Sequence, residues 1–164
     1  PRTGLGRFRN FRISNYQLME ELINHCRNMK IEEILEHEDV KERVELYFEQ
    51  DRLFKDMVQK HTRLESNVIV TDLRDVDPIY TGNRFLIYSL YPDQNVSMWI
   101  VDGKMKQNVS IACGYSILNR TCSVDIGKLM LQNGGGGHKM VGTCQVESAD
   151  ANQVIQSIID ALRS

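Results

Sequence analysis

Apolar residues recur along this chain with two periods, and the change from one to the other falls near Asn67. Before it, Leu18, Leu22, Cys26 and Met29 return at helical spacing. Ser14-Asn15-Tyr16-Gln17 ahead of them fits a capping box, in which Ser14 caps the helix and Gln17 reaches back. A second long helical pattern follows. Val40, Val44, Tyr47 and Phe48 mark one face of its first half, and Phe54, Met57, Val58 and His61 one face of its second, with most acids on the other side. These stretches predict a helical lead-in of about 50 residues, longer than most connectors within one domain. Residues 1 to 13 mix Gly and Arg and read as irregular.

Beyond Asn67 the elements are shorter. Val68-Ile69-Val70 reads as a buried strand and Asp75-Val76-Asp77-Pro78 as a turn. Arg84 to Tyr91 is predicted helical. Val96 to Val101 is a strand closed by the turn pair Asp102-Gly103. Val109, Ile111, Cys113 and Tyr115 alternate, as in a half-buried strand. Ile126 to Leu131 is predicted helical, Gly134 to Gly137 a loop and Thr143 to Val146 a strand; Val154, Ile155, Ile158, Ile159 and Leu162 mark a helix that packs by one face. Strands interleaved with helices predict an α/β fold, a mixed β-sheet flanked by helices and preceded by the helical lead-in. The division expected is a lead-in over 1–66 and an α/β domain over 67–164.

Composition narrows the function classes. With 164 residues, 41% of them hydrophobic and 26% charged, the chain has apolar material for a core without staples. A formal charge of -2 argues against a general nucleic-acid-binding protein. Arg2, Arg7, Arg9 and Arg12 nevertheless open the chain before any acid appears. Cys26, Cys113, Cys122 and Cys144 form no C-x-x-C pair and are expected to be reduced and mostly buried, as in a cytoplasmic protein. No apolar run reaches the length of a membrane span, and no signal peptide is recognisable. The first residue is Pro1, which fits either removal of an initiator methionine or a piece of a longer chain.

The strongest local signal is Gly134-Gly135-Gly136-Gly137-His138. Consecutive glycines cost chain entropy, permit positive φ and let a ligand approach the backbone. Their N–H groups can form an anion-binding concavity, with His138 donating to a phosphate oxygen. The alternative, weighed equally, is a tight helix-to-strand turn beside an incidental histidine. A P-loop does not fit, because no Lys-Ser/Thr pair and no helix follow; the G-x-G-x-x-G register is also absent.

Gly135-Gly136-Gly137-His138-Lys139-Met140-Val141-Gly142 resembles the G-G-G-H-x-x-A-A-G motif of the domain associated with Asp-His-His (DHH) family phosphoesterases. Arg120 and Asp125-Ile126-Gly127-Lys128-Leu129-Met130 look like that family's arginine and the helix leading into its glycine motif. Arg2-Thr3-Gly4-Leu5-Gly6-Arg7-Phe8 and Gly82-Asn83-Arg84-Phe85 look like a bacterial, exopolyphosphatase-related branch. Met140-Val141 stand where the motif has Ala-Ala, and Thr121 where the family often has Ser.

The resemblance implies a C-terminal, substrate-binding portion of a metal-dependent phosphoesterase. In such enzymes a separate N-terminal DHH domain holds two Mn²⁺ or Mg²⁺ ions, which clamp the attacking and leaving oxygens. No stretch of this chain looks like that domain: His25, His37, His61 and His138 are scattered, and Asp75 and Asp77 fit a solvated turn better. No catalytic residue, metal ligand or cofactor is therefore expected here, and this portion alone is expected to be inactive. The resemblance assigns substrate binding to Arg120, Gly135, Gly136, Gly137 and His138, with Asn83 and Arg84 as weaker candidates. The opening arginines either line the substrate cleft or form a solvated linker. The expected partner is a phosphate-containing small molecule or short oligonucleotide, with no membrane; a homodimer through the acidic helices is compatible. The competing reading is a non-catalytic nucleic-acid-binding module or a dimerisation domain. The near-neutral charge and the lack of an aromatic stripe along the sequence favour the small substrate.

Overall fold

The computed structural model describes residues 4–163. It divides into two compact units, Pro1–Asp56 with Tyr80–Asn83, and Met57–Ile79 with Arg84–Ser164. Arg2, one of the opening arginines, lies outside the described residues.

The first unit is helical. In α1 (Asn15–Asn28) the Ser14 hydroxyl accepts from the Gln17 N–H at 3.1 Å, as the capping motif predicts. The Gln17 side chain does not reach back; it bonds Glu21 at 3.2 Å. A short separate helix, α2 (Ile31–Glu36), precedes α3 (Glu38–Lys60). The buried seam of α3 within this unit is not the expected one. Tyr47 and Phe48 are exposed, while Asp39, Arg43, Gln50 and Phe54 are buried. Spacings of four, seven and four residues bring these four to one helical face, and polar partners make the burial tolerable. Arg12 donates from Nε to Asp39 at 2.9 Å, and Arg43 donates to the Asp39 carbonyl at 2.8 Å and to Asn15 at 2.9 Å. The Arg43 guanidinium also lies 4.0 Å from the Phe11 ring centroid. Gln50 accepts from the Thr81 N–H at 3.1 Å. Arg12 is thus a structural ion-pair partner.

The second unit is α/β. Its sheet runs β1-β2-β3-β4-β6-β5, with β1 (Thr62–Glu65), β2 (Val68–Asp72), β3 (Val96–Asp102), β4 (Asn108–Tyr115), β5 (Gly136–His138) and β6 (Val141–Glu147). Only β2 and β3 pair in parallel, and the chain between them contains α4 (Leu86–Leu90). Period-two alternation sends Val96, Met98 and Ile100, and likewise Val109, Ile111 and Cys113, to one face. There they pack with Ile126 and Met130 of α5 (Ile126–Gln132) and with Ile155, Ile158, Ile159 and Leu162 of α6 (Ala151–Leu162). Two expectations change. The pair Asp102-Gly103 opens a longer connection, with a 3-10 turn at Lys104–Lys106. The second half of the expected glycine loop is strand β5.

Cys113, Cys122 and Cys144 are buried free thiols, and Cys26 is exposed. Burial pushes the Cys113 thiol up. No helix among the described residues is long and apolar enough to cross a membrane.

Two carboxylates tie folding to pH. Hydrogen bonding from Arg12 holds Asp39 below its ordinary value. Burial pushes Asp72 up, but the Arg74 guanidinium, 2.6 Å away, outweighs it and the net direction is down. A carboxylate with a depressed folded-state pKa contributes stability above its unfolded value, about 3.9, and loses it as pH falls through the folded value. Thermal melts followed by circular dichroism should therefore change little from pH 7 to about 5 and fall in midpoint below about pH 4. A midpoint at pH 3 equal to that at pH 7 would contradict this.

Candidate functional site

The four consecutive glycines occupy four different environments. Gly134, with φ 76, ends α5. Its N–H bonds the Leu131 carbonyl at 3.2 Å and the Gly135 N–H bonds the Met130 carbonyl at 2.9 Å, which is the paired pattern of a Schellman cap. Gly135 runs so close to β6 that a Cβ would lie 2.0 Å from the Thr143 carbonyl oxygen; Gly137 is in the same position, 2.3 Å from that of Val141. Gly136 is different. A Cβ there would meet nothing within 4 Å, and its φ is not left-handed. Three of the glycines are therefore required by the fold, and Gly136 is not. Positive φ, expected for the run, is confined to Gly134.

Helix α5 holds β5 at both ends. Asp125 caps the helix by accepting from the Lys128 N–H at 3.1 Å, and the Ile126 N–H bonds the Lys139 carbonyl at 2.9 Å. Strand register then fixes what lies beside the glycines. Ser97, Gly114, Val141 and His138 form one row across β3, β4, β6 and β5; Trp99, Ala112, Thr143 and Gly136 form the next. Residues directly opposite share a face, here the face away from the core. His138 is exposed, and its ring has no hydrogen-bond partner among the described residues.

Arg120 lies in the connection from β4 to α5. Its neighbours are pinned: Asn119 donates to the Asp93 carbonyl at 2.7 Å, and Thr121 accepts from Asn95 at 3.0 Å. The exposed guanidinium donates only from Nε, to the Ile117 carbonyl at 3.3 Å, and is in no ion pair among the described residues. Tyr115, where this connection begins, bonds the Met140 carbonyl at 2.9 Å, so Arg120 and His138 emerge from the same end of the sheet. No hydrogen bond joins them. Asn83 belongs to the first unit; Arg84, in the second, is exposed with its guanidinium 5.2 Å from the Phe85 ring centroid.

Arg84 leads to a groove that sequence reasoning missed. It has a volume of about 250 Å³ and lies over the non-core face of β3 and β4. Its floor is made of small residues, Ser97, Ala112 and Gly114; aromatic residues Phe85, Tyr88 and Trp99 border it, and Met140 and Val141 close one end, beside Tyr115, whose side chain packs against the core and donates to the Val124 carbonyl at 2.6 Å. The Tyr88 and Ser97 hydroxyls share a 2.7 Å hydrogen bond, and burial pushes the Tyr88 phenol up. The available signal was the small residues alternating on the non-core side of two strands.

A larger open cavity, about 490 Å³, lies among Asp72, Arg74, Asp102 and Lys106. Its charges largely pair with one another: Arg74 with Asp72, and Lys106 with Asp75 and Asp102. Asp75 stands in the expected turn. Among the described residues, no group of three or more His, Cys, Asp or Glu side chains could hold a metal ion.

No protein-family model matches the chain, and no curated protein matches it in sequence. Solved structures do match. The chain is 50% identical to the pGpG-specific phosphodiesterase PggH from Vibrio cholerae, with a TM-score of 0.92 over 98% of this chain and 55% of that one. An exopolyphosphatase-related protein from Bacteroides fragilis matches at 12% identity and TM-score 0.54, over 90% of this chain and 43% of that one. A DHH domain from a family of ribosomal proteins matches at 12% identity and TM-score 0.53, over 74% of this chain and 32% of that one. The latter two share the fold alone. The chain thus spans about half the length of the Vibrio relative, 55%. With the glycine motif on β5 and 50% identity to the Vibrio phosphodiesterase over 98% of its length, the chain belongs to the DHH phosphoesterase family, as its glycine-motif domain.

Proposed function

We propose that this chain is the substrate-binding portion of a DHH-family phosphodiesterase that acts on a short linear dinucleotide of the pGpG kind. The observation that carries the reading is Gly136. Its backbone is open on the outer face of the sheet and the fold does not require its lack of a side chain, which suits close approach of a ligand. His138 stands next to Val141 at one end of this surface, and Arg120 offers a guanidinium fork suited to a phosphate. The half-identity to a pGpG-specific enzyme favours a dinucleotide over polyphosphate as substrate. Mn²⁺ or Mg²⁺ and the bond-breaking chemistry are assigned to a DHH domain, and the residues described here orient and retain the substrate.

Arg120→Ala and His138→Ala should each weaken pGpG binding by about 1–3 kcal/mol, the loss expected when a hydrogen bond to a charged group is removed. Titration calorimetry on this chain measures it. Unchanged affinity in both variants would remove these residues from the site.

A further inference from the structure

We infer that the groove bordered by Phe85, Tyr88 and Trp99 is the seat of a nucleobase of the substrate. The inference rests on the dinucleotide reading and adds where the base goes. The aromatic residues come from α4 and the residue that caps it, Phe85, and from β3, and the floor at Ala112 and Gly114 of β4 carries almost no side chain, leaving room for a flat ring. A cavity of about 250 Å³ is smaller than the usual pocket for a whole ligand, so it suits one part of a larger substrate.

The polar groups are arranged for a base joined to phosphate. Inside the groove, the Tyr88 and Ser97 hydroxyls are bonded to each other, and Tyr88 also donates to the Gly114 carbonyl at 3.3 Å. The interior therefore suits stacking better than binding of a bare anion. Charge stands at the edges instead: Arg84 borders the groove, and His138 lies in the register row of Gly114, two strands away. Two interstrand spacings are about 10 Å, a suitable reach from a seated base to its phosphate. A polyphosphate chain would leave the aromatic groove unused.

Trp99 is the single tryptophan of the chain and borders the groove, so its emission reports on occupancy. Titrations with pGpG, guanosine and tripolyphosphate, followed by emission and by calorimetry, separate base from phosphate. The expected result is saturable quenching by pGpG and guanosine and none by tripolyphosphate. Phe85→Ala, at a side chain 43% exposed and outside the core, should raise the Kd for pGpG by about 5- to 150-fold, the range for losing a base–aromatic stack, and leave tripolyphosphate binding unchanged. If pGpG binds calorimetrically while Trp99 emission stays constant and Phe85→Ala binds normally, the base seat is wrong and the dinucleotide reading survives. If guanosine quenches but pGpG binds no tighter than guanosine, the base seat stands and the phosphate site falls. If neither pGpG nor guanosine binds, both are overturned.

Discussion

Gly135→Ala should cost about 3 kcal/mol or more of stability, the upper end of what overpacking a filled site exacts, while its neighbour Gly136→Ala should cost almost nothing. At Gly135 the new methyl would sit 2.0 Å from the Thr143 carbonyl oxygen and 2.6 Å from the Cα of Cys144, both backbone atoms of β6 that cannot swing aside. Relief requires β5 to leave β6. At Gly136 the methyl enters open space on an extended backbone, and the narrowed unfolded ensemble makes the change neutral or stabilising by up to about 1 kcal/mol. Its expected effect is on binding, because the methyl would occupy the surface assigned to pGpG. Urea denaturation compares the two, and calorimetry with pGpG follows on the folded Gly136 variant. Equal stability losses would contradict the separation of roles within the glycine run.

Ile111→Ala should lose about 2–5 kcal/mol, the range for truncating a large aliphatic side chain in a packed core. Ile111 is fully buried on β4, with Ile100 opposite it on β3 and Cys144 on β6. Since its neighbour Ala112 faces the groove and Ile111 faces α5 and α6, the fraction that remains folded should bind pGpG as the parent does. Chemical denaturation gives the first quantity and calorimetry below the unfolding transition the second. A loss under about 1 kcal/mol would mean that the core relaxes around the deletion far more than packed interiors do.

Much of the sheet was legible because β4 and β6 bury one face, which period-two alternation reports directly, and because β2 is buried on both faces, which its continuous apolar run reports. Strand β1 escaped because its Thr-Arg-Leu-Glu has no apolar alternation and sits at the sheet edge. In α3 the apolar pattern pointed to Tyr47 and Phe48, while the buried positions went to Asp39, Arg43 and Gln50, whose partners come from distant parts of the chain. No local pattern announces a polar residue that will be buried and satisfied. The glycine run was visible, but which glycine meets backbone and which meets space depends on how β6 folds back. The aromatic rim of the groove had no signature along the chain, although the small residues of its floor did. Phe85 and Trp99 are too far apart in sequence to form a stripe and come to one groove only through the β2–β3 crossover.

The two outer strands of the sheet bear on how the chain behaves at high concentration. A long, flat outer strand with a free row of N–H and C=O groups invites a second molecule to extend the sheet, the first step toward fibres. Strand β5 is only three residues long, and α5 is bonded to both ends of its segment. Strand β1 has four residues and carries Arg63 and Glu65, the latter held by Arg163 at 2.5 Å. Neither gives an incoming strand a long uncharged register to follow. The glycine run therefore leaves this border of the sheet too short to propagate it.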